Sequence, residues 1–321
     1  MIRRMVLSGA AALITICSLP VFAAYPEKPI RLIVPWPPGG ASDSAARILA
    51  RHLQDRLNQP VIVENKAGAS GNIGTEAVAR STPDGYTLLL SSGPFSINPS
   101  LYKKLPFDTL KDFLPVAQLT TSPSVLLVHP EMPAKAIKEF VALGGSADKP
   151  ITIGSPGNGS AQHLAMELLK KKAGIHLLHV PYKGGTPAMQ DLLGGSIPAM
   201  MAGITEALPH VRAGKLRALA VTTTARTNLL PDVPTLIEAG LADTSSGGWN
   251  GIHVPVGTPT AIVDRLHGEI NAILAMPEVR DQLMTLGFDV RRGSQQEFAD
   301  FVLQQIANWK DAVVLSGAQV E

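Results

Sequence analysis

Cysteine is almost absent from this chain, since Cys17 is the only one among 321 residues. A single thiol excludes an intramolecular disulfide and any metal site built from several cysteines. The fold must therefore be stabilised by apolar cores. A chain of this length is long enough for two domains, each with its own core.

Aromatic residues and net charge are also scarce. Aromatics make up 5% of the sequence, and 28 basic residues stand against 26 acidic ones. Nucleic-acid-binding proteins normally carry a basic excess, and those that bind single strands add aromatic stacking platforms. The composition therefore argues against a nucleic-acid partner.

Long apolar runs are confined to the N-terminus, and no later segment stays apolar for the roughly 20 residues that a membrane-spanning helix needs. Arg3 and Arg4 precede an uncharged stretch, and Val21-Phe22-Ala23 has the small-x-small pattern of a cleavage site. We predict a signal peptide over residues 1–23, cleaved near Ala23, and a periplasmic mature chain with balanced charge. An uncleaved anchor, a lipidated cysteine and a twin-arginine signal are alternatives that fit the pattern less well.

Short β-rich runs alternate with amphipathic helical runs after the leader, which predicts an α/β fold with parallel sheets. The predicted strands are 30–34, 61–63, 86–90, 125–128, 151–153, 177–180, 216–221, 252–255 and 288–291. The predicted helices are 42–57, 75–80, 135–143, 160–172, 186–193, 235–239, 260–275, 277–286 and 294–315. No low-complexity linker divides the chain, which favours two domains that exchange strands.

Two glycine-rich turns each follow a strand and open a helix. The first turn, residues 37–43, offers Pro37, Pro38, Gly39, Gly40, Ser42 and Asp43; the second turn, residues 155–160, offers Ser155, Gly157, Asn158, Gly159 and Ser160, with His163 in the following helix. The first N–H groups of a helix lack intrahelical partners and carry partial positive charge, so such turns can bind an anion without a basic side chain. Ser42, Asp43 and Ser160 are also candidate N-caps. The plainer alternative is that each turn only begins its helix.

Two more turns have the same position after a strand. Ser92 and Gly93 follow the strand 86–90, and Tyr182 with Gly184-Gly185 follows the strand 177–180. We count Ser92, Gly93 and Tyr182 as candidate ligand contacts, with an ordinary loop as the alternative at each. The glycine-rich segment 247–251 is a candidate hinge.

Signals for enzymes and cofactors are weak. Gly157-x-Gly159 matches only the first part of a dinucleotide fingerprint, because Gln162 replaces the third glycine, and neither a P-loop nor a G-x-S-x-G elbow occurs. Ser155 and His163 have no evident acidic partner, and a His163–Glu167 metal pair lacks a third ligand. We predict no cofactor, no metal and no catalytic residues. The alternative is an exported α/β hydrolase or a metal-dependent enzyme.

Several segments together resemble the extracytoplasmic receptors of tripartite tricarboxylate transporters, the Bug or TctC-like family. The resemblance runs from about residue 25 to the C-terminus, and the segments that carry it are 25–26, 31–35, 38–43, 63–66, 71–74, 83–88, 179–184, 214–221, 231–235 and 238–240. Each segment is weak alone, but their order and spacing are specific.

The resemblance implies a two-domain periplasmic-binding-protein fold of type II with a ligand cleft between the domains. We expect domain 1 to comprise residues 24–124 and 250–321, and domain 2 to comprise 125–249. The resemblance also implies a small carboxylate ligand held by backbone donors and ordered waters at the two turns. The partner would be a two-component membrane permease, and a monomer is the default for this class. A sensor without a permease stays open.

The sequence departs from the family at residues 197–203. The family often has acidic residues near Ala199 and Gly203 and an aromatic residue near Ala202, whereas this chain has small and apolar ones. If this stretch lines the distal pocket, with Gly203 as a contact, we expect a less polar or bulkier ligand tail such as an aromatic acid.

Overall fold

The computed structural model describes residues 25–158, 160–182, 184–241 and 247–316. The predicted signal peptide and its cleavage site lie outside these residues. No helix of the described part is both long and apolar enough to cross a membrane.

Ten strands and ten α-helices make up the described chain. The strands are β1 Ile30–Val34, β2 Val61–Asn65, β3 Thr87–Ser92, β4 Phe113–Val128, β5 Ile151–Ser155, β6 Leu177–Pro181, β7 Ala199–Gly203, β8 Arg217–Val221, β9 Gly247–Pro255 and β10 Asp289–Val290. The helices are α1 Ala41–Leu57, α2 Asn72–Ala79, α3 Gly93–Leu101, α4 Ile137–Leu143, α5 Ala161–Ala173, α6 Gly185–Leu193, α7 Ile204–Arg212, α8 Thr260–Ala275, α9 Pro277–Thr285 and α10 Gln295–Ser316.

The strands form two parallel groups joined by antiparallel strands. In one half β2, β1 and β3 are parallel neighbours, and in the other half β6, β5 and β7 are. Between them β3 pairs with β9, β9 with β4 and β4 with β7, all antiparallel. The prediction of parallel pairing is thus confirmed within each group and wrong at the joins.

The long strand β4 belongs to both halves. Residues 113–123 pair with β9, whereas Ser124 to Val128 pair with β7, and β8 also pairs with the end of β4. The sequence predicted only the last four residues of this strand. Its first part contains Pro115, which is followed by a register shift, and prolines usually argue against a strand interior.

Separate apolar cores fill the two halves. One core packs α1 and α8 against β1, β3 and β9, and two others pack α5, α6 and α7 around β4, β5 and β7. A smaller cluster joins α3, α5 and α10 through Ile97, Leu101, Leu164, Leu168, Trp309, Ala312 and Val313. Helix α10 therefore contacts elements of both halves.

The sequence analysis missed three short elements and predicted one helix that the structure does not contain. The sequence analysis did not predict α3, β7 or α7. The predicted helix 235–239 is a turn, in which Ala239 N–H donates to the carbonyls of Thr235 and Leu236 before Gly240 takes a φ of 92°. A segment this short cannot offset the cost of helix nucleation.

Candidate functional site

The predicted turns lie at the carboxyl ends of parallel strands. Within each of the two parallel groups, these ends lie at the same edge of the sheet. The first turn follows β1 and opens α1, and Ser92 ends β3 and opens α3. In the other half α5, α6 and α7 begin after β5, β6 and β7. Ligands of α/β proteins bind at such edges.

Helix α3 has neighbours in both halves. Trp36, which directly precedes the first turn, donates from Nε1 to Ser92 Oγ at 3.1 Å, just before α3 begins. Helix α3 in turn shares an apolar cluster with α5, which begins at the second turn. The structure thus places Ser92 beside the residue that precedes the first turn, and it packs the body of α3 near that of α5.

The first turn presents backbone instead of charged side chains. Pro37, Pro38, Gly39 and Gly40 are all exposed. Helix α1 has Gly40 as its N-cap, so the prediction of Ser42 or Asp43 as N-cap is wrong: the helix begins at Ala41, before either residue. Gly39 has a φ of 88°, a conformation that favours glycine.

Asp43 stabilises the first turn through hydrogen bonds. Its carboxylate is 2% exposed and accepts hydrogen bonds from Gly39 N–H at 2.9 Å, Asn65 Nδ2 at 2.8 Å and Arg47 Nε at 2.9 Å. Burial opposes its ionisation, but the bonds from Arg47, Gly39 and Asn65 outweigh it and keep the Asp43 pKa below its usual value. Its oxygens are therefore occupied, and Asp43 acts as a positioning residue.

Asn65 and Arg47 were not predicted as site residues. Asn65 ends β2 and donates from Nδ2 to the Trp36 carbonyl at 3.0 Å, and its Oδ1 accepts from Arg47 Nη2 at 3.1 Å. Asn65 could have been identified from the sequence, because it closely follows the predicted strand 61–63, whose carboxyl end lies at the same edge of the sheet.

The start of α3 is buried but spacious. Ser92 is 8% exposed and Gly93 is buried, yet a β-carbon on Gly93 would meet no atom within 4 Å. The backbone at this position therefore borders open space inside the molecule. Sequence reasoning placed both residues in a turn, whereas Ser92 is the last residue of β3.

The second turn is organised by two serines. Ser155 is fully buried, accepts from Gly157 N–H at 3.2 Å and lies 2.6 Å through Oγ from His179 Nε2. Ser160 is confirmed as the N-cap of α5, because its Oγ accepts from His163 N–H at 3.1 Å. Asn158 is exposed, and the predicted Gly159 lies outside the described residues.

His163 packs behind this turn instead of pointing into solvent. Its ring is 5% exposed and stacks on that of His179, with centroids 4.2 Å apart. Burial lowers the pKa of both imidazoles, that of His179 to about 4 with a further contribution from His163. Both rings are therefore neutral at neutral pH, and neither brings positive charge to the turn.

The Tyr182 hydroxyl is already engaged. It donates to Asp191 Oδ2 at 2.6 Å, and burial followed by the Asp191 carboxylate raises its pKa to about 12. Tyr182 therefore stays a predicted ligand contact, and its hydroxyl proton is engaged by Asp191. The same loop is tied to the second turn, since Gly184 N–H donates to the Pro156 carbonyl at 2.9 Å.

Most of the segment 197–203 belongs to the core. Ala199, Met200, Met201 and Ala202 are fully buried within β7, so the idea that they line a ligand pocket is wrong. Gly203 differs because it is the N-cap of α7 at the functional edge. A β-carbon there would lie 3.6 Å from Gln162 Nε2, an ordinary contact.

The hydrolase alternative finds no assembled triad in the described residues. Ser155 meets His179, not His163, but it is fully buried and no hydrogen bond joins a carboxylate to His179. A triad requires an accessible nucleophile and an orienting group on the base. The described residues also contain no group of three or more His, Cys, Asp or Glu suited to a metal.

A cavity of about 580 Å³ lies apart from the turns. It is bounded by β4, β9 and α10, and its lining includes Gln118, Gly248, Arg291 and Gln305. None of the predicted site residues lines it.

Comparison with known proteins identifies the family of this chain. Residues 45–317 match the model of the tripartite tricarboxylate transporter family receptor, TctC. The chain is 37% identical over 299 residues to BugT of Bordetella pertussis strain Tohama I, which covers 92% of each chain.

Solved structures of similar proteins share the fold. A TctC solute-binding protein from Polaromonas is 34% identical with a TM-score of 0.83, covering 90% of this chain and 99% of that one. Rpa4515 of R. palustris with adipate is 31% identical (TM-score 0.75, 92% and 100% covered) and MatC of Rhodopseudomonas palustris with bound malate 33% identical (TM-score 0.70, 90% and 100% covered). The predicted α/β periplasmic-binding-protein fold is confirmed, and the chain belongs to the TctC family of tripartite tricarboxylate transporter receptors, which are periplasmic solute-binding proteins.

Proposed function

We propose that this protein captures a small carboxylate between its two domains and delivers it to a two-component membrane permease. The observation that carries the proposal is the exposed first turn, whose backbone is fixed by buried Asp43 next to the starts of α1 and α3. Helix N-termini bind anions through free N–H groups and the helix dipole. The adipate and malate bound by two similar proteins are carboxylates of the expected kind.

The proposed contacts divide into two roles. The residues proposed to face the ligand through backbone or hydroxyl groups are Pro37, Pro38, Gly39, Gly40, Ser42, Ser92, Gly93, Gly157, Asn158, Gly159, Ser160 and Gly203. Asp43, Ser155, His163 and Tyr182 would hold these turns in place through the contacts described above. Ordered water would bridge the ligand to donors that it does not reach directly.

Ligand capture would work by hinge closure. The chain passes from one half of the sheet to the other at Ser124 in β4, where the pairing changes from β9 to β7, and it returns at the start of β9, where Gly247 pairs with Pro123. These positions support domain boundaries near residues 124 and 249, so domain 1 would comprise 24–124 and 250–321 and domain 2 would comprise 125–249. A ligand that contacts both domains stabilises the closed state.

The proposal also covers the processing, location and oligomeric state of the protein. The mature protein would begin near Ala24 after cleavage of the signal peptide and act in the periplasm as a monomer. It would carry out no chemical step, and it would need no cofactor and no metal.

A thermal-shift screen of the purified mature protein tests this function. The panel contains citrate, succinate, glutamate, nicotinate, benzoate and terephthalate. A ligand at 100 times its Kd is expected to add about 2.7 kcal/mol to the free energy of unfolding and so raise the Tm. Recovery of the ligand unchanged after incubation supports a receptor, whereas its conversion would establish an enzyme. Absence of any shift, with no ligand detected by mass spectrometry of the denatured protein, would contradict carboxylate binding.

Asp43→Ala provides a test of the site itself. The substitution removes the acceptor shared by Gly39, Asn65 and Arg47, so the first turn loses its support. We expect stability to fall by about 2 kcal/mol, because each bond involves a charged group, and ligand affinity to fall at least about tenfold.

The matched control for Asp43→Ala is Asp108→Ala. Asp108 is a partly exposed aspartate that also accepts backbone hydrogen bonds in its own loop. The Asp108→Ala substitution should leave the ligand affinity unchanged. Equal affinities of Asp43→Ala and the wild type, measured by calorimetry, would show that the first turn does not bind the ligand.

A further inference from the structure

Glu206 lies in the first turn of α7, just beyond the segment that the sequence analysis singled out. Its carboxylate reaches across to the start of α6. A β-carbon on Gly185, the first residue of α6, would overlap both carboxylate oxygens. The acidic group therefore rests against the helix start that follows β6.

The Glu206 carboxylate has no partner among the described residues. None of them donates it a hydrogen bond or forms an ion pair with it, and burial alone raises its pKa. The residue is nevertheless exposed, so a solute can reach the carboxylate. Ionisable groups whose pKa is perturbed are frequent at ligand sites.

Glu206 is also a neighbour of the second turn. The loop before α6 is bonded to Pro156 of that turn, and Gly203 at the start of α7 adjoins Gln162 in the first turn of α5. Because β5, β6 and β7 are parallel, the three helix starts share one edge of the sheet. A ligand held at the second turn would therefore have Glu206 beside it.

We infer that Glu206 selects the distal group of the ligand, binding an ammonium or other cationic N–H donor and repelling a second carboxylate. The inference rests on the proposed function, because the proximal carboxylate must be held at the turns. An opposite charge satisfies the unpartnered carboxylate, whereas a like charge at the same place is unfavourable. The ligand class is then an amino carboxylate, which differs from the adipate and malate of the two similar proteins.

Calorimetric titration with three matched ligand series tests the inference. The series are unbranched ω-amino carboxylates, α,ω-dicarboxylates and n-alkanoates with two to six methylene groups. We expect the wild type to bind the best amino carboxylate at least about tenfold more tightly than the dicarboxylate of the same length. Glu206→Gln should remove that preference while changing n-alkanoate affinity much less.

The control variant is Glu131→Gln. It removes the same charge from an exposed side chain in the loop that follows the far end of β4, at the opposite edge of the sheet. It should keep the wild-type preference. A ratio of affinities that is the same in the wild type and in Glu206→Gln would overturn the role of Glu206 while leaving carboxylate binding intact. If the folded wild type binds no member of any series but is stabilised by another carboxylate of the thermal-shift panel, the inference fails and the proposed function stands; if neither experiment finds a ligand, both fail.

Discussion

Gly251→Ala is expected to lower the free energy of unfolding by about 3 kcal/mol, as overpacking of a rigid core site does. Gly251 lies in β9, between β3 and β4. A β-carbon there would overlap the tip of the Phe298 ring and lie 2.9 Å from two of its other carbons. Phe298 is 1% exposed and packs against Trp249 and His253, so the ring has little room to move aside.

Two further variants make this prediction specific. Gly248→Ala changes the same strand, but its β-carbon would make only an ordinary contact at 3.5 Å, so we expect an effect below about 1 kcal/mol. Phe298→Leu in the Gly251→Ala background should restore part of the lost stability, because it shortens the overlapping side chain. Urea unfolding of the wild type, Gly251→Ala, Phe298→Leu and the double variant forms a double-mutant cycle. A Gly251→Ala protein as stable as Gly248→Ala would show that α10 does not pack on β9 in this way.

This contact explains why the glycine-rich segment 247–251 has more than one role. Gly251 is required for the close approach of α10, whereas Gly248 lies where the chain passes between the halves of the sheet. The sequence analysis predicted only a hinge for the whole segment. Glycine content alone does not distinguish a flexible position from a crowded one.

The fold was largely predictable because its elements are strongly patterned. Helix α8 and strand β1 have the predicted bounds, and α1 begins one residue early. The first part of β4 was missed because its prolines and polar residues hide a strand that pairs with β9 along its length. Periodicity records which face is buried, but not which distant strand provides the hydrogen bonds.

The site was predictable in its backbone and not in its side chains. Glycines and serines after strands indicated where the turns lie, and Ser160 caps its helix as expected. The roles of Asp43, His163 and Tyr182 depend on Asn65, His179 and Asp191, which meet them only in three dimensions. Side chains that a sequence suggests for the ligand can therefore be occupied by the scaffold.

A site built from backbone donors also separates two tasks. In the proposed site the turns would recognise a carboxylate, which every ligand of this kind has in common, and they would need no side chain that varies with the ligand. Discrimination would then fall to side chains at the same edge, such as Glu206, which has no described partner. One substitution at such a position would change selectivity without disturbing the fold.

Acid is expected to destabilise the protein strongly through two histidines, the buried His253 and the partly buried His179. His253 is 3% exposed among Phe95, Phe113 and Phe298, and burial lowers its pKa to about 3. The pKa of His179 is lowered to about 4, mainly by burial. Unfolded histidine titrates near pH 6.5, so between that pH and the folded values the unfolded chain binds more protons.

The sign and size of the acid effect follow from that difference. The free energy of unfolding keeps its full value above about pH 6.5 and decreases as the pH falls below that. The decrease ends near pH 4 for His179 and near pH 3 for His253, where the folded protein also takes up the proton. Between pH 7 and 4 we expect a loss on the order of 5 kcal/mol in the free energy of unfolding. Urea unfolding at several pH values, compared with the double variant His179→Gln/His253→Phe, measures the histidine part. The control is His176→Gln, which replaces an exposed side chain. If the double variant loses as much stability as the wild type over this range, the two rings are not responsible for the acid sensitivity.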